Sequence, residues 1–315
     1  MAAETPREEL ENEIEDLKRQ LQRAKSLLER RNDDSCQTKH KHNDFSSLSS
    51  SHSLFLLSDS ALPLGSFAYS SGLESYILHN KPLQTHTNPI ASFHNFLRLS
   101  LSSVAGTTLP YVLKAHRHPD QLEALDDELD ASTLCSVARR ASVAQGMALL
   151  IVWERSFRAS YKSHHLQNGS NEDAGDIPLS RPQLAAAVLH SFSESIKQPS
   201  DEDDDDEALL NWHANGHLGP LWGVICVAMG VDLRQAAYLF MLNHTKAVSS
   251  AAVRASVMGP YHAQEILASR ALQDMIVQSI EKEWDTEPED AGQVVPVIDL
   301  WVGRHELLYS RIFNS

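Results

Sequence analysis

Cysteine is scarce in this 315-residue chain. There are three, Cys36, Cys135 and Cys226, scattered and odd in number. No CxxC occurs, so a disulfide framework is not expected, and a reducing compartment suits the chain. Long apolar runs are absent too. The longest, near 147–153 and 221–229, fall far short of a bilayer's thickness. The N-terminus has no apolar core of a secretory signal. A cytoplasmic location with no membrane span is the expectation. Positive charge is in deficit: the net formal charge is −15 with histidines neutral. That balance argues against nucleic-acid binding and against anionic membranes. Enzyme signatures are missing as well. There is no GxxxxGK[ST] loop, no GxGxxG after a strand, no HExxH and no GxSxG elbow. Gly65-Ser66 makes no such elbow, because the next glycine is Gly72. No nucleophile, base and orienting group stand together in sequence.

What is present is helical spacing, organised around residues 55–79. Pro63 lacks an N–H and biases Leu62 away from helical angles. Gly65 is free to take a positive φ. Leu62, Leu64 and Phe67 surround this kink with apolar side chains, where a surface turn would carry Asn, Asp or Ser, so the corner is expected to be packed. Ser70 or Ser71 caps a new helix with Glu74 in its first turn, where the helix dipole favours an acid. Gly72 removes a Cβ where another backbone approaches. The plainest reading is a helix–turn–helix corner in a helical core.

Upstream, Leu10, Ile14, Leu17, Leu21, Ala24 and Leu28 follow four-three spacing, predicting an amphipathic, coiled-coil-like helix over 1–31. It is either a docking or self-association helix or a solvated extension. Residues 32–53 are polar and rich in Ser, His and Asp and read as a flexible linker. From 54 to 315 the pattern predicts an all-α domain, a single helical bundle. Helices are expected near 89–104, capped by Asn88, then 108–117, 131–164, 180–196, 208–229, 232–256, 260–284 and 296–309. The acidic stretch 119–129 is ambiguous. In the long helix, Leu134, Val137, Ala141, Ala144, Met147, Ala148 and Ile151 form the apolar face. Gly146, inside it, fits a site where a neighbour crosses. Gly230 fits a helix C-terminus and Asp232 the next N-cap. The run Asp201–Glu207 reads as a solvated insertion within 199–207.

Sixteen histidines raise a metal hypothesis. His116 and His118, His164 and His165, and His213 and His217 form close pairs. None is joined in sequence by a cysteine or a clear carboxylate set, and Asn215-Gly216 places a turn between the last two. A metal-dependent helical enzyme using His213 and His217 is one alternative. A generic coiled-coil adaptor, resting on 7–31 alone, is another.

Four segments in order also carry a resemblance to a known family. They are Leu62-Pro-Leu-Gly-Ser-Phe67 with Ser70-x-Gly-Leu-Glu74; Arg139-Arg-Ala-Ser-Val-Ala-Gln-Gly146; Gly216–Gly223 through Ser249–Gly259; and the tail, His305-Glu306 with Tyr309-Ser-Arg-Ile-Phe-Asn-Ser315. Together these resemble the UreF-type urease accessory proteins over about 54–315. Ile312 stands where Leu is commoner, Asn314 where a basic residue is frequent, and Leu64 where Ile or Val is usual. Residues 1–53 and the acidic run lie outside the family plan.

The resemblance implies an all-α, non-enzymatic chaperone or scaffold with no tightly bound cofactor. It would bind a UreD/UreH-type protein, recruit the GTPase UreG, dock on apo-urease and form a homodimer, with nickel handled transiently by the assembly. It also implies a partner-binding surface made from Pro63, Gly65, Phe67, Gly72, Glu74, Arg254, His305, Tyr309, Arg311, Phe313 and Ser315. Tyr309, Arg311 and Phe313 are its expected tail anchors, ordering as a partner docks, and Phe67 is the expected floor. Arg254 is placed either to influence the GTPase step or to make a surface salt bridge. Ser142 and Gln145 either line a polar path or make core hydrogen bonds.

Overall fold

The computed structural model describes residues 51–80, 88–161, 179–197 and 215–314. The expected helix at 1–31, most of the linker, the acidic insertion, Cys36, His164, His165, His213 and Ser315 lie outside the described residues. Among the described residues there is no strand, and the architecture is the all-α bundle that the spacing predicts.

The chain enters through helix α1 (51–58). The linker boundary at residue 53 therefore moves. Ser53 is fully buried, and its hydroxyl donates to the Met229 carbonyl at 2.9 Å. After the corner come α2 (Leu73–Asn80), α3 (Pro89–Thr107), α4 (Leu109–Arg117), α5 (Leu122–Ser132) and α6 (Ser136–Val152). Then follow α7 (Arg181–Lys197), α8 (Leu218–Ala228), α9 (Leu233–Arg254), α10 (Pro260–Ala268), α11 (Arg270–Lys282) and α12 (Pro296–Arg304). Several starts are those the sequence marks. Asn88 and Asp232 accept the amides of Ile90 and Arg234, and Gly230 takes φ +70°.

Several boundaries differ from expectation. Residues 215–217, inside the helix expected over 208–229, are not helical, and α8 begins at Leu218; the helix expected over 296–309 ends at Arg304. The acidic stretch is helix α5, because Leu122, Leu125 and Leu129 give it a buried stripe. The long helix begins at Ser136, after a break at 133–135. Leu134 is consequently not on its apolar face but 94% exposed. Beyond Val152 the helix widens into a π turn, Trp153–Phe157, which seats the fully buried Trp153. The helix expected over 260–284 is two, split at Ser269, whose hydroxyl caps α11 through the Leu272 amide.

Helix α8 is apolar all round, and Gly219 through Ala228 are all buried, as a central helix requires. Helices α4, α6 and α7 pack around it. The close crossing with α4 depends on Gly223, where a Cβ would lie 2.5 Å from the Val112 carbonyl oxygen.

Candidate functional site

The corner and the tail meet. Leu64 N–H donates to the Leu62 carbonyl at 2.7 Å, a three-residue turn centred on Pro63. Gly65 follows at φ +69° with open space where its Cβ would be. Ser71 and Gly72 both take positive φ. A Cβ on Gly72 would sit 3.0 Å from the Val302 nitrogen, so this glycine lets α12 lie directly on the start of α2. Ser70 Oγ accepts the Glu74 amide at 3.3 Å, fixing the first turn.

Glu74 is the centre of the contact. Its carboxylate is buried. Oε1 accepts the Ile312 amide at 2.8 Å, and Oε2 accepts the Phe313 amide at 3.2 Å. His305, fully buried in the turn after α12, donates Nε2–H to Oε2 at 3.0 Å. Its Nδ1 is buried without a partner. One carboxylate thus holds two main-chain amides and an imidazole, and such charge-assisted bonds are stronger than neutral ones. The Asn314 amide reaches back to the Ala68 carbonyl at 2.8 Å, completing a strap across the corner.

Arg254, at the end of α9, closes the other side. Its guanidinium donates to the Phe67 carbonyl and lies 4.3 Å from the Phe313 ring centre and 6.0 Å from that of Phe67. No surface salt bridge involves it among the described residues. Partial burial lowers its pKa from the ordinary arginine value.

The expected anchors divide. Phe313 is 4% exposed and anchors the tail. Tyr309 and Arg311 do not: both stand in solvent, because the chain is held by its backbone and they face away from it. The expected floor is also corrected. Phe67 is 66% exposed, and Arg254 fills the place under the tail. Leu62 and Leu64 are only half-buried, so the corner is less packed than its apolar composition predicts.

Beneath the corner lies a cavity of about 510 Å³, whose lining includes Leu62, Leu64, Ser100, Ser103, His244 and Asp299. His244 Nε2 and Ser100 Oγ are 2.8 Å apart. Burial pushes the His244 pKa down to about 4, so its ring is neutral at neutral pH. Burial also raises the pKa of Asp299, against the Gln293 hydrogen bond that lowers it.

A second polar cluster pins the entry to α8. The buried Asp126 carboxylate accepts the amides of Asn215, Gly216 and His217 at 2.7, 2.9 and 2.6 Å. His217, fully buried, donates Nε2–H to Asp130 Oδ1 at 3.0 Å, and its Nδ1 lies 3.0 Å from Ser142 Oγ. Ser142 Oγ accepts the Leu218 amide at 3.3 Å. Folding therefore brings a serine, a histidine and a carboxylate together that are far apart in sequence. The serine oxygen is turned onto a helix N-terminus, so the trio closes on the backbone. Ser142 makes a core hydrogen bond, the second of its two expected roles. Gly146 permits the approach: a Cβ there would be 2.1 Å from the Gly216 carbonyl oxygen.

The metal alternative gains no support here. Both ring nitrogens of His217 are engaged, and His116 Nε2 is 2.9 Å from the Val231 carbonyl. No group of three His, Cys, Asp or Glu among the described residues is arranged to hold an ion. The sequence reading missed Asp126. Its signal was there: it falls in register with Leu122, Leu125 and Leu129, an acid on an apolar stripe.

Comparison with known proteins places the chain in a family. The profile of the UreF family matches residues 88–271. An uncharacterized urease accessory protein UreF-like from Schizosaccharomyces pombe is 34% identical over 264 residues, covering 84% of this chain and 97% of that protein. Urease accessory protein 6 of Cryptococcus neoformans var. grubii is 26% identical over 84% of this chain and 96% of its own length. Urease accessory protein F of Arabidopsis thaliana is 29% identical over 82% and 90%. With a family profile spanning more than half of its length and a relative matched nearly end to end, the chain belongs to the UreF family.

Proposed function

We infer that the protein is a urease accessory protein that works as a cytoplasmic docking scaffold for nickel insertion into apo-urease. In this reading it binds a UreD/UreH-type protein, recruits the GTPase UreG, biases the GTPase step through the region of Arg254, and acts as a homodimer. Nickel is cargo of the assembly. The observation that carries the reading is the tail. Glu74 grips the backbone of Ile312 and Phe313, which leaves Tyr309 and Arg311 displayed on a rigid base. A displayed aromatic and a guanidinium are the residue types that dominate protein interfaces. No membrane-spanning helix occurs among the described residues, which suits a protein that works in the aqueous phase.

The test is co-purification with a UreD-type partner, read beside urease activity in a host lacking its own UreF-type protein. Removing 309–315 also strips Glu74 of its amides, so the double variant Tyr309→Ala/Arg311→Ala is the cleaner probe. It is expected to keep its helical circular dichroism and to lose both the partner and urease activation. Wild-type yields of the partner complex with this variant would overturn the tail's role. The purified chain, having no phosphate-binding loop, is expected to turn over no GTP above buffer.

A further inference from the structure

Helix α12 buries one side and leaves the other bare. Ile298 and Val302 are buried, and the Trp301 ring packs edge-on against Tyr76 with centroids 4.6 Å apart. On the other side, Val297, Leu300 and Arg304 recur at i, i+3 and i+7, one helical stripe, and Leu307 continues it from the following turn. Leu300 is 59% exposed and Leu307 79%. Val297 is partly exposed as well. The bare Leu134 borders the same surface, since its neighbour Cys135 has its sulfur 3.9 Å from where a Cβ on Gly303 would be. Monomeric surfaces seldom keep apolar side chains in such a row without a purpose.

Basic residues interrupt and border this stripe. Arg304 and Arg311 are exposed and meet no carboxylate within ion-pair distance among the described residues. Arg140 is paired with Glu306, which neutralises the nearby acid. Three guanidiniums therefore surround one carboxylate, in a chain whose net charge is −15. A second copy of this face would set Arg304 and Arg311 against their own equivalents, and like charges across an interface are costly.

We propose that the outer face of α12 seats an amphipathic helix of a partner protein, its apolar stripe on Val297, Leu300 and Leu307 and its flanking carboxylates on Arg304 and Arg311. From Val297 to Leu307 the stripe runs about 15 Å, close to three turns of the incoming helix. The site adjoins the displayed tail and shares Arg311 with it, but its apolar stripe on Val297, Leu300 and Leu307 makes no contact with the Glu74 carboxylate and does not depend on the urease reading.

The probe is a fluorescein-labelled peptide of about 18 residues with leucines on one helical stripe and glutamates beside them. Its control carries lysine in place of each glutamate. By polarisation with the full-length chain, the acidic peptide is expected to bind at least about tenfold more tightly than the basic one, and high salt is expected to erase the difference. Leu300→Asp is expected to weaken the acidic peptide about tenfold, and Arg304→Glu/Arg311→Glu to reverse the charge preference. These positions are exposed, so circular dichroism should not change. Equal binding of the two peptides overturns the proposal, as does wild-type affinity in the variants. It also fails if Leu300→Asp alters only the sedimentation of the chain, or only its uptake by phosphatidylserine vesicles, since a second copy or a lipid surface would then be the occupant. The two readings fail separately: a wild-type chain that binds the acidic peptide yet fails to activate urease refutes the scaffold reading alone.

Discussion

At the scale of single residues, Glu74 carries the most. A buried carboxylate is tolerated only when its lone pairs are met, and here they are met by two tail amides and His305. Glu74→Ala leaves those three donors without an acceptor, and a loss of about 3 kcal/mol is expected. Glu74→Gln is expected to cost less, since its carbonyl oxygen still accepts. Urea unfolding gives the loss, and carboxypeptidase digestion reports whether the tail comes free. Equal stability and equal digestion of Glu74→Ala and wild type would remove the clamp from the account. The sequence marked Glu74 as a helix-start acid. Its partners sit 231 to 239 positions away, a separation that no local pattern reports. The same blindness misplaced Tyr309 and Arg311. Residue type suggested anchors, but backbone hydrogen bonding does the anchoring, and the side chains are left outside.

Among the elements, α3 and α9 meet through Ser100 and His244. The folded pKa of His244, about 4, lies below the ordinary 6.5 of histidine. As pH falls through 6.5 the unfolded chain takes a proton that the folded chain refuses. This group's contribution is therefore full above that pH and is lost toward pH 4, at up to about 1.4 kcal/mol per pH unit. Replacing His244 by Gln is expected to flatten the decline in stability between about pH 7 and pH 5. Parallel declines in the two proteins would contradict the assignment. Helix periodicity located α3, α4 and α9 within a few residues, because their apolar stripes repeat cleanly. It failed at α5, whose acidic residues hide three leucines, and at Ser269, where a cap interrupts a pattern that runs on through both helices. The break before Ser136 was equally hidden, since Leu134 keeps helical spacing with Val137 while standing outside the fold.

At the scale of the whole molecule, the helical bundle belongs to a compact unit that runs from Ser53 to Ser315. Ser53 is tied to Met229 across 176 positions, so the entry helix belongs to the bundle. A chain of residues 51–315 is expected to unfold in one cooperative transition with the full-length midpoint. A midpoint several degrees lower, about 1 kcal/mol or more for a domain of this size, would show that residues 1–50 contribute to the bundle's stability. The amino-acid sequence by itself determined the helical class, most helix starts and the family, because each rests on short-range periodicity, caps and ordered motifs. Only the tertiary structure decided which polar groups share a site. Glu74 with the tail, Asp126 with the entry to α8, and Ser142 with His217 are all joined by chain packing. That packing depends on glycines 72, 146 and 223 letting backbones approach, a three-dimensional condition that local pattern does not encode.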